Sequence, residues 1–127
     1  MRALLVLMLL GALTGGNDQR LFESGMAFKV NQNVEQAIRE FQLLVDQYPE
    51  SEYADNALFE IARFRLDSGD VDTATALLNR IITQYNRSDS ADNAHLVLGR
   101  LQLANGELDQ AYNTFFHIKG AFPDSDV

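Results

Sequence analysis

The chain has no cysteine and no tryptophan, and its 127 residues include only two histidines and two prolines. Without cysteine there can be no disulfide framework, thiolate metal site or thiol nucleophile. His95 and His117 have no acidic or histidine partner at a chelating spacing such as i+4, so no metal site is expected. Basic residues are scarce: ten Lys and Arg against eighteen Asp and Glu give a net charge of −8. That balance argues against a phosphate-backbone partner, which needs a basic stripe. Asp70-x-Asp72 and Asp124-x-Asp126 lack the glycine and terminal glutamate of a calcium loop. No Gly-Lys-Ser/Thr follows Gly15-Gly16, and no serine has a His–carboxylate pattern. The expectation is a chain that is not an enzyme and holds no cofactor and no metal. With 46% hydrophobic residues, it can build one continuous core but not two independent ones.

The first sixteen residues stand apart. Arg2 is the only charge before Asp18, and residues 3–13 are all apolar or glycine. This run is too short for a membrane span, which needs roughly 20 residues. It also lacks the polar face of a domain-edge helix. A basic start, an apolar stretch and then the small residues Thr14, Gly15 and Gly16 fit a signal peptide over 1–16. Leu13-Thr14-Gly15 resembles the triplet before the lipidated cysteine of bacterial lipoproteins, but position 16 is glycine. An exported protein is expected, in the periplasm or on the periplasmic face of the outer membrane. Membrane attachment would come only through a lipid anchor, if position 16 is Cys in the native protein.

The remainder repeats itself. Ala54-Asp55-Asn56-Ala57 recurs as Ala91-Asp92-Asn93-Ala94, a shift of 37 positions. The same shift relates Ala37, Ala74 and Ala111; Phe41, Leu78 and Phe115; and Ser51, Ser88 and Ser125. Three units result, 17–53, 54–90 and 91–127, each reading as two helices. The second helices carry apolar stripes at steps of three and four: Val34, Ala37, Ile38, Phe41, Leu44, Val45 and Tyr48 in the first unit. Turns are expected at Gln32, Gly69 and Gly106. Asn33 with Gln36 should form a capping box, and Asp70, Ser51 and Ser88 should cap the helices that follow them. Gly25, Ala62 and Gly99 recur inside the first helices, where glycine costs about 1 kcal/mol relative to alanine. Close approach of the paired helix, with Phe41, Leu78 or Phe115 packing there, is the expected compensation.

These residues resemble the tetratricopeptide (TPR) repeat. Leu98-Gly99, Ala111-x-x-x-Phe115 and Pro123 follow its pattern, as do Gly25, Ala37, Phe41 and Pro49. The family's Trp position holds Leu21, Leu58 and His95, and its Tyr position holds Phe28, Arg65 and Gln102. The resemblance implies an all-α fold, an α-solenoid of three TPR-like helix pairs with a 37-residue period. The Tyr48-Pro49-Glu50-Ser51 and Phe122-Pro123-Asp124-Ser125 junctions resemble those of bacterial envelope TPR proteins. Two groups fit: the outer-membrane β-barrel-assembly lipoprotein (BamD type) and the Tol-Pal-associated periplasmic coordinator. Both imply a non-enzymatic protein–protein interaction scaffold that holds extended or helical segments of envelope proteins in a concave groove. The alternative is an oligomerisation or accessory module of a Tol-Pal-like or other envelope complex.

In TPR arrays the first helices line the groove. The resemblance places Phe22, Met26, Asn56, Phe59, Arg63, Asn93, Leu96 and Arg100 there, with Lys29, Leu66 and Leu103 in a further row. Asn56 and Arg63 share a helical face, as do Asn93 and Arg100. Amides suit an extended backbone and guanidinium forks suit carboxylates; alternatively, both arginines pair with neighbouring acids. The last helix carries Phe115, Phe116, Ile118 and Phe122. This predicts either a longer repeat protein or self-association through that helix.

Overall fold

The computed structural model describes residues 16–118. The apolar leader, the Leu13-Thr14-Gly15 triplet and the Phe122-Pro123-Asp124-Ser125 junction lie outside the described residues. Within them there are six α-helices and no strand: α1 (Asn17–Val30), α2 (Val34–Gln47), α3 (Ala54–Asp67), α4 (Val71–Gln84), α5 (Asp89–Ala104) and α6 (Leu108–Phe116). None is long and apolar enough to cross a membrane.

Turns fall at the three expected positions. Gln32, Gly69 and Gly106 are the described residues in left-handed backbone, with φ of 60°, 85° and 78°. Each turn closes in the same way. The Gln32 N–H donates to the Lys29 carbonyl (3.0 Å) and the Asn33 N–H to the Phe28 carbonyl (2.8 Å). Gly69 and Asp70 repeat these bonds to Leu66 and Arg65, and Gly106 and Glu107 repeat them to Leu103 and Gln102. This pair of bonds satisfies the last carbonyls of a helix and requires a left-handed residue at its centre. Glycine adopts that backbone without a Cβ clash; glutamine does so at a cost.

The capping expectations divide. The Asp70 carboxylate accepts from the Thr73 N–H at 3.2 Å and the Ser88 hydroxyl from the Ala91 N–H at 3.0 Å, both as expected. Asn33 begins α2 with nearly the backbone of Asp70 but makes no side-chain cap bond, so the expected capping box is absent. A carboxylate offers two charged acceptors where the amide offers one neutral one. Ser51 does not cap either. Helix α3 starts at Ala54, three residues on, whereas α5 starts directly after Ser88. The Ser51 hydroxyl instead accepts from the Tyr53 N–H (3.1 Å) and donates to the Asp18 carboxylate (2.7 Å).

The chain divides into two compact units, the first ending at Phe64 and the second beginning at Arg65. A single continuous core was the expectation from length. Two units are compatible with a repeat, in which each helix pair relies on near neighbours rather than a central core. In the first unit, α1 packs along α2, and Ala37, Phe41, Leu44, Val45, Leu58 and Ile61 are buried. A Cβ on Gly25 would lie 2.5–2.8 Å from three atoms of the Phe41 ring. In the second unit, α5 packs against both α4 and α6, and the core is built from Ala74, Leu78, Ile81, Ala91, Ala94 and Ala111. Gly99 lies against the Phe115 ring as Gly25 does against Phe41. The expected close approach at the recurring small residue is therefore present in both units.

Candidate protein-interaction surface

In the first unit, α3 presents Asn56, Phe59 and Arg63 at i, i+3 and i+7, one helical face. Asn56 and Arg63 are exposed and Phe59 is half-buried. In the second unit, α5 presents Asn93, Leu96 and Arg100 at the same spacing, with the same order of exposure. Each helix thus carries an amide, an apolar side chain and a guanidinium in a row. Among the described residues neither Arg63 nor Arg100 forms an ion pair. The pairs formed are Lys29–Glu60 (2.8 Å) and an exposed Glu35–Arg39 contact (3.8 Å). The alternative in which neighbouring acids consume both guanidinium groups is not what the structure shows.

The α1 members behave differently. Phe22 is half-buried, its ring 5.8 Å from that of Phe41 and stacked on Tyr53 at 5.2 Å. Met26 is half-buried as well. Lys29, expected in the further row with Leu66 and Leu103, is held by Glu60 of α3. Together with the Ser51–Asp18 bond, these contacts fasten α1 to the segment that leads into α3. The Ser51 hydroxyl holds the Asp18 carboxyl below its ordinary value. Burial, then the nearby Glu52 and Asp18 charges, push the Tyr53 phenol up.

Phe116 is exposed on the last helix, as expected; two features were not anticipated, the residues beside it on that face and a histidine pair. Leu108, Tyr112 and Phe116 on α6 are 66%, 62% and 59% exposed, and their i, i+4, i+8 spacing puts them on one face. Phe115, grouped with Phe116 in the sequence reading, instead turns toward Gly99. Spacing alone held this signal, since Leu108 and Tyr112 stand one and two turns before Phe116.

The second feature is a histidine pair. His95 on α5 and His117 at the end of α6 bring their rings to 5.9 Å, although they are far apart in sequence. The His95 Nδ1 is buried with no hydrogen-bond partner. Burial, and secondarily the His117 imidazole, lower its pKa from 6.5, while Asp92 acts the other way. Among the described residues no group of three or more His, Asp or Glu side chains is placed to hold a metal ion.

Residues 18–123 match the model of the tetratricopeptide repeat-like domain. No curated protein matches the chain significantly.

Proposed function

Because the chain belongs to the tetratricopeptide repeat-like family, whose domains are typically non-enzymatic modules for binding other proteins, we propose that it is a scaffold of the bacterial cell envelope. Its α3 and α5 faces take extended, carboxylate-bearing protein segments. The observation that carries this reading is the duplicated row: Asn56, Phe59 and Arg63 on α3, and Asn93, Leu96 and Arg100 on α5, each ending in an exposed guanidinium with no ion pair among the described residues. The amide suits a strand-like backbone, the apolar group a side chain between, and the guanidinium a carboxylate fork.

The envelope location rests on the leader. Arg2 and the apolar run over 3–13 have the make-up of an export signal. Leu13-Thr14-Gly15 and the aromatic-Pro-x-Ser junctions favour a role in outer-membrane protein assembly, with a Tol-Pal-like complex as the alternative. Gene neighbourhood separates the two: barrel-assembly genes support the first and Tol-Pal genes the second.

Binding is tested by fluorescence anisotropy on labelled peptides from envelope proteins, each made with a free or an amidated C-terminus. Arg63→Glu and Arg100→Glu should each weaken binding more than Arg39→Glu or Arg80→Glu, on second helices. The loss should be larger at low salt, because exposed charge pairs are screened as ionic strength rises. Equal effects from all four reversals would mean a general field rather than a site.

The exposed Leu108, Tyr112 and Phe116 face favours a second reading, self-association through α6. Phe116→Glu should then lower the sedimentation coefficient of the full chain. A chain that is monomeric at high concentration would exclude this reading.

A further inference from the structure

The His95 position is the point of departure. At the same place in the other repeats stand Leu21 and Leu58, and Leu58 is fully buried. The third repeat puts an imidazole there and brings His117 to 5.9 Å from it. The His95 Nδ1 is buried and meets no acceptor among the described residues. A neutral imidazole can leave that nitrogen unprotonated, whereas a cationic one must place an N–H there with nothing to receive it. The His117 imidazole stands on the other side of the α5–α6 contact.

We propose that His95 and His117 form a proton-operated latch, which holds α6 on α5 while His95 is neutral and releases α6 when His95 takes up a proton. That contact also includes Gly99 against Phe115, the Thr114–Gln102 side-chain bond of 2.6 Å and the buried Ala111. Helix α6 has only nine residues, and its Leu108, Tyr112 and Phe116 face lies in solvent. A proton on His95 therefore places a charge beside His117 inside this contact.

The charged groups around His95 set the direction. His117 comes from the end of α6 and opposes a charge on His95, and Asp92 on α5 favours it. Helix α4, which also packs on α5, carries Asp72 and Arg80, and the causes that dominate at His95 are burial, His117 and Asp92. Burial and His117 prevail, so the closed state holds His95 below 6.5. Well above pH 6.5 the imidazole is uncharged whether α6 is docked or not. As pH falls through 6.5, the opened state binds a proton that the closed state resists, and opening gains in proportion.

The chain's two histidines make the test direct, because each gives its own ring C–H resonance. In the full chain, His95 should titrate below the ordinary histidine value, and His117→Gln should move it upward. Hydrogen exchange, corrected for its intrinsic pH dependence, should show α6 opening more readily at pH 5 than at pH 7.5 while α2 stays unchanged. His95→Leu, which restores the residue of the other two repeats, should abolish that pH dependence. An ordinary or raised His95 titration in the wild type, or α6 opening equally pH-dependent in His95→Leu, would overturn the latch.

Discussion

Replacing Gly25 with alanine sets two forces of opposite sign against each other. Gly25 lies in the middle of α1, where alanine is favoured over glycine by about 1 kcal/mol. If nothing else mattered, Gly25→Ala would stabilise the protein by that amount. The new Cβ would meet Phe41 Cε1 at 2.5 Å, Cδ1 at 2.7 Å and Cζ at 2.8 Å. Carbon atoms pack best at about 3.5–4.0 Å, so the ring or the helix must move by roughly 1 Å. Phe41 is fully buried, leaving the ring no open side to swing toward. Overpacking of this kind costs about 1–3 kcal/mol, so the net effect is a loss of about 0–2 kcal/mol rather than a gain. Urea unfolding followed by circular dichroism measures it, provided the slope is unchanged between variants. The middle repeat carries Ala62 and Leu78 at the two corresponding positions, and that pairing supplies the control. In a Phe41→Leu background the same Gly25→Ala change should become stabilising, by about 1 kcal/mol. The difference between backgrounds isolates the contact. Gly25→Ala stabilising the wild-type chain by the full propensity gain would refute the account of why a glycine recurs inside α1 and α5.

Three further outcomes are expected. Gln32→Gly should raise the urea midpoint by a margin worth about 1 kcal/mol, because the left-handed backbone at Gln32 (φ 60°) penalises any side chain by about that much; an unchanged or lower midpoint would argue against that backbone. Asp18 has its pKa lowered by the Ser51 hydroxyl, so its contribution is present above the ordinary carboxylate value of 3.8 and is lost as pH falls through the lower folded value. Ser51→Ala should remove that part of the acid dependence, and identical acid unfolding curves for the two chains would rule the bond out as a stabilising contact. For export, secreted protein should lack residues 1–16 and carry no lipid, whereas Gly16→Cys should become membrane-anchored; an intact Met1 on periplasmic material, read by mass spectrometry, would sink the leader assignment.

The second helices and the turns were legible because each is specified by neighbours in the chain. A stripe such as Ala37, Phe41, Leu44 and Val45 reports its buried face through spacing alone. The turn at Gly69 or Gly106 announces itself by composition, and the 37-residue shift transfers the same turn to Gln32, which composition would never have marked. The caps were less secure because they depend on where a helix begins to within one residue. Ser51 and Ser88 are equivalent in the repeat, yet a three-residue delay before α3 diverts Ser51 to Asp18. What stayed hidden were contacts set by the rotation of one helix against another. Lys29 with Glu60, Phe22 with Tyr53 and His95 with His117 are each separated by 20 to 32 positions, and no period links them. For that reason the sequence placed Phe22 and Lys29 on a binding face, while the structure uses both to hold α1.

That reassignment bears on where a partner would bind. The position equivalent to Asn56 and Asn93 is Gln19, and the position equivalent to Arg63 and Arg100 is Met26. The first repeat therefore offers an amide but no guanidinium. Its aromatic is stacked against Tyr53, and its lysine is paired with Glu60. A helix whose polar and aromatic groups are already engaged by its own unit has little left to exchange for contacts with a partner, since each would have to be broken first. Among the described residues, Arg63 on α3 and Arg100 on α5 form no ion pair. Under the proposed function, the groups of α1 are engaged within their own unit, and α3 and α5 carry the exposed guanidinium groups.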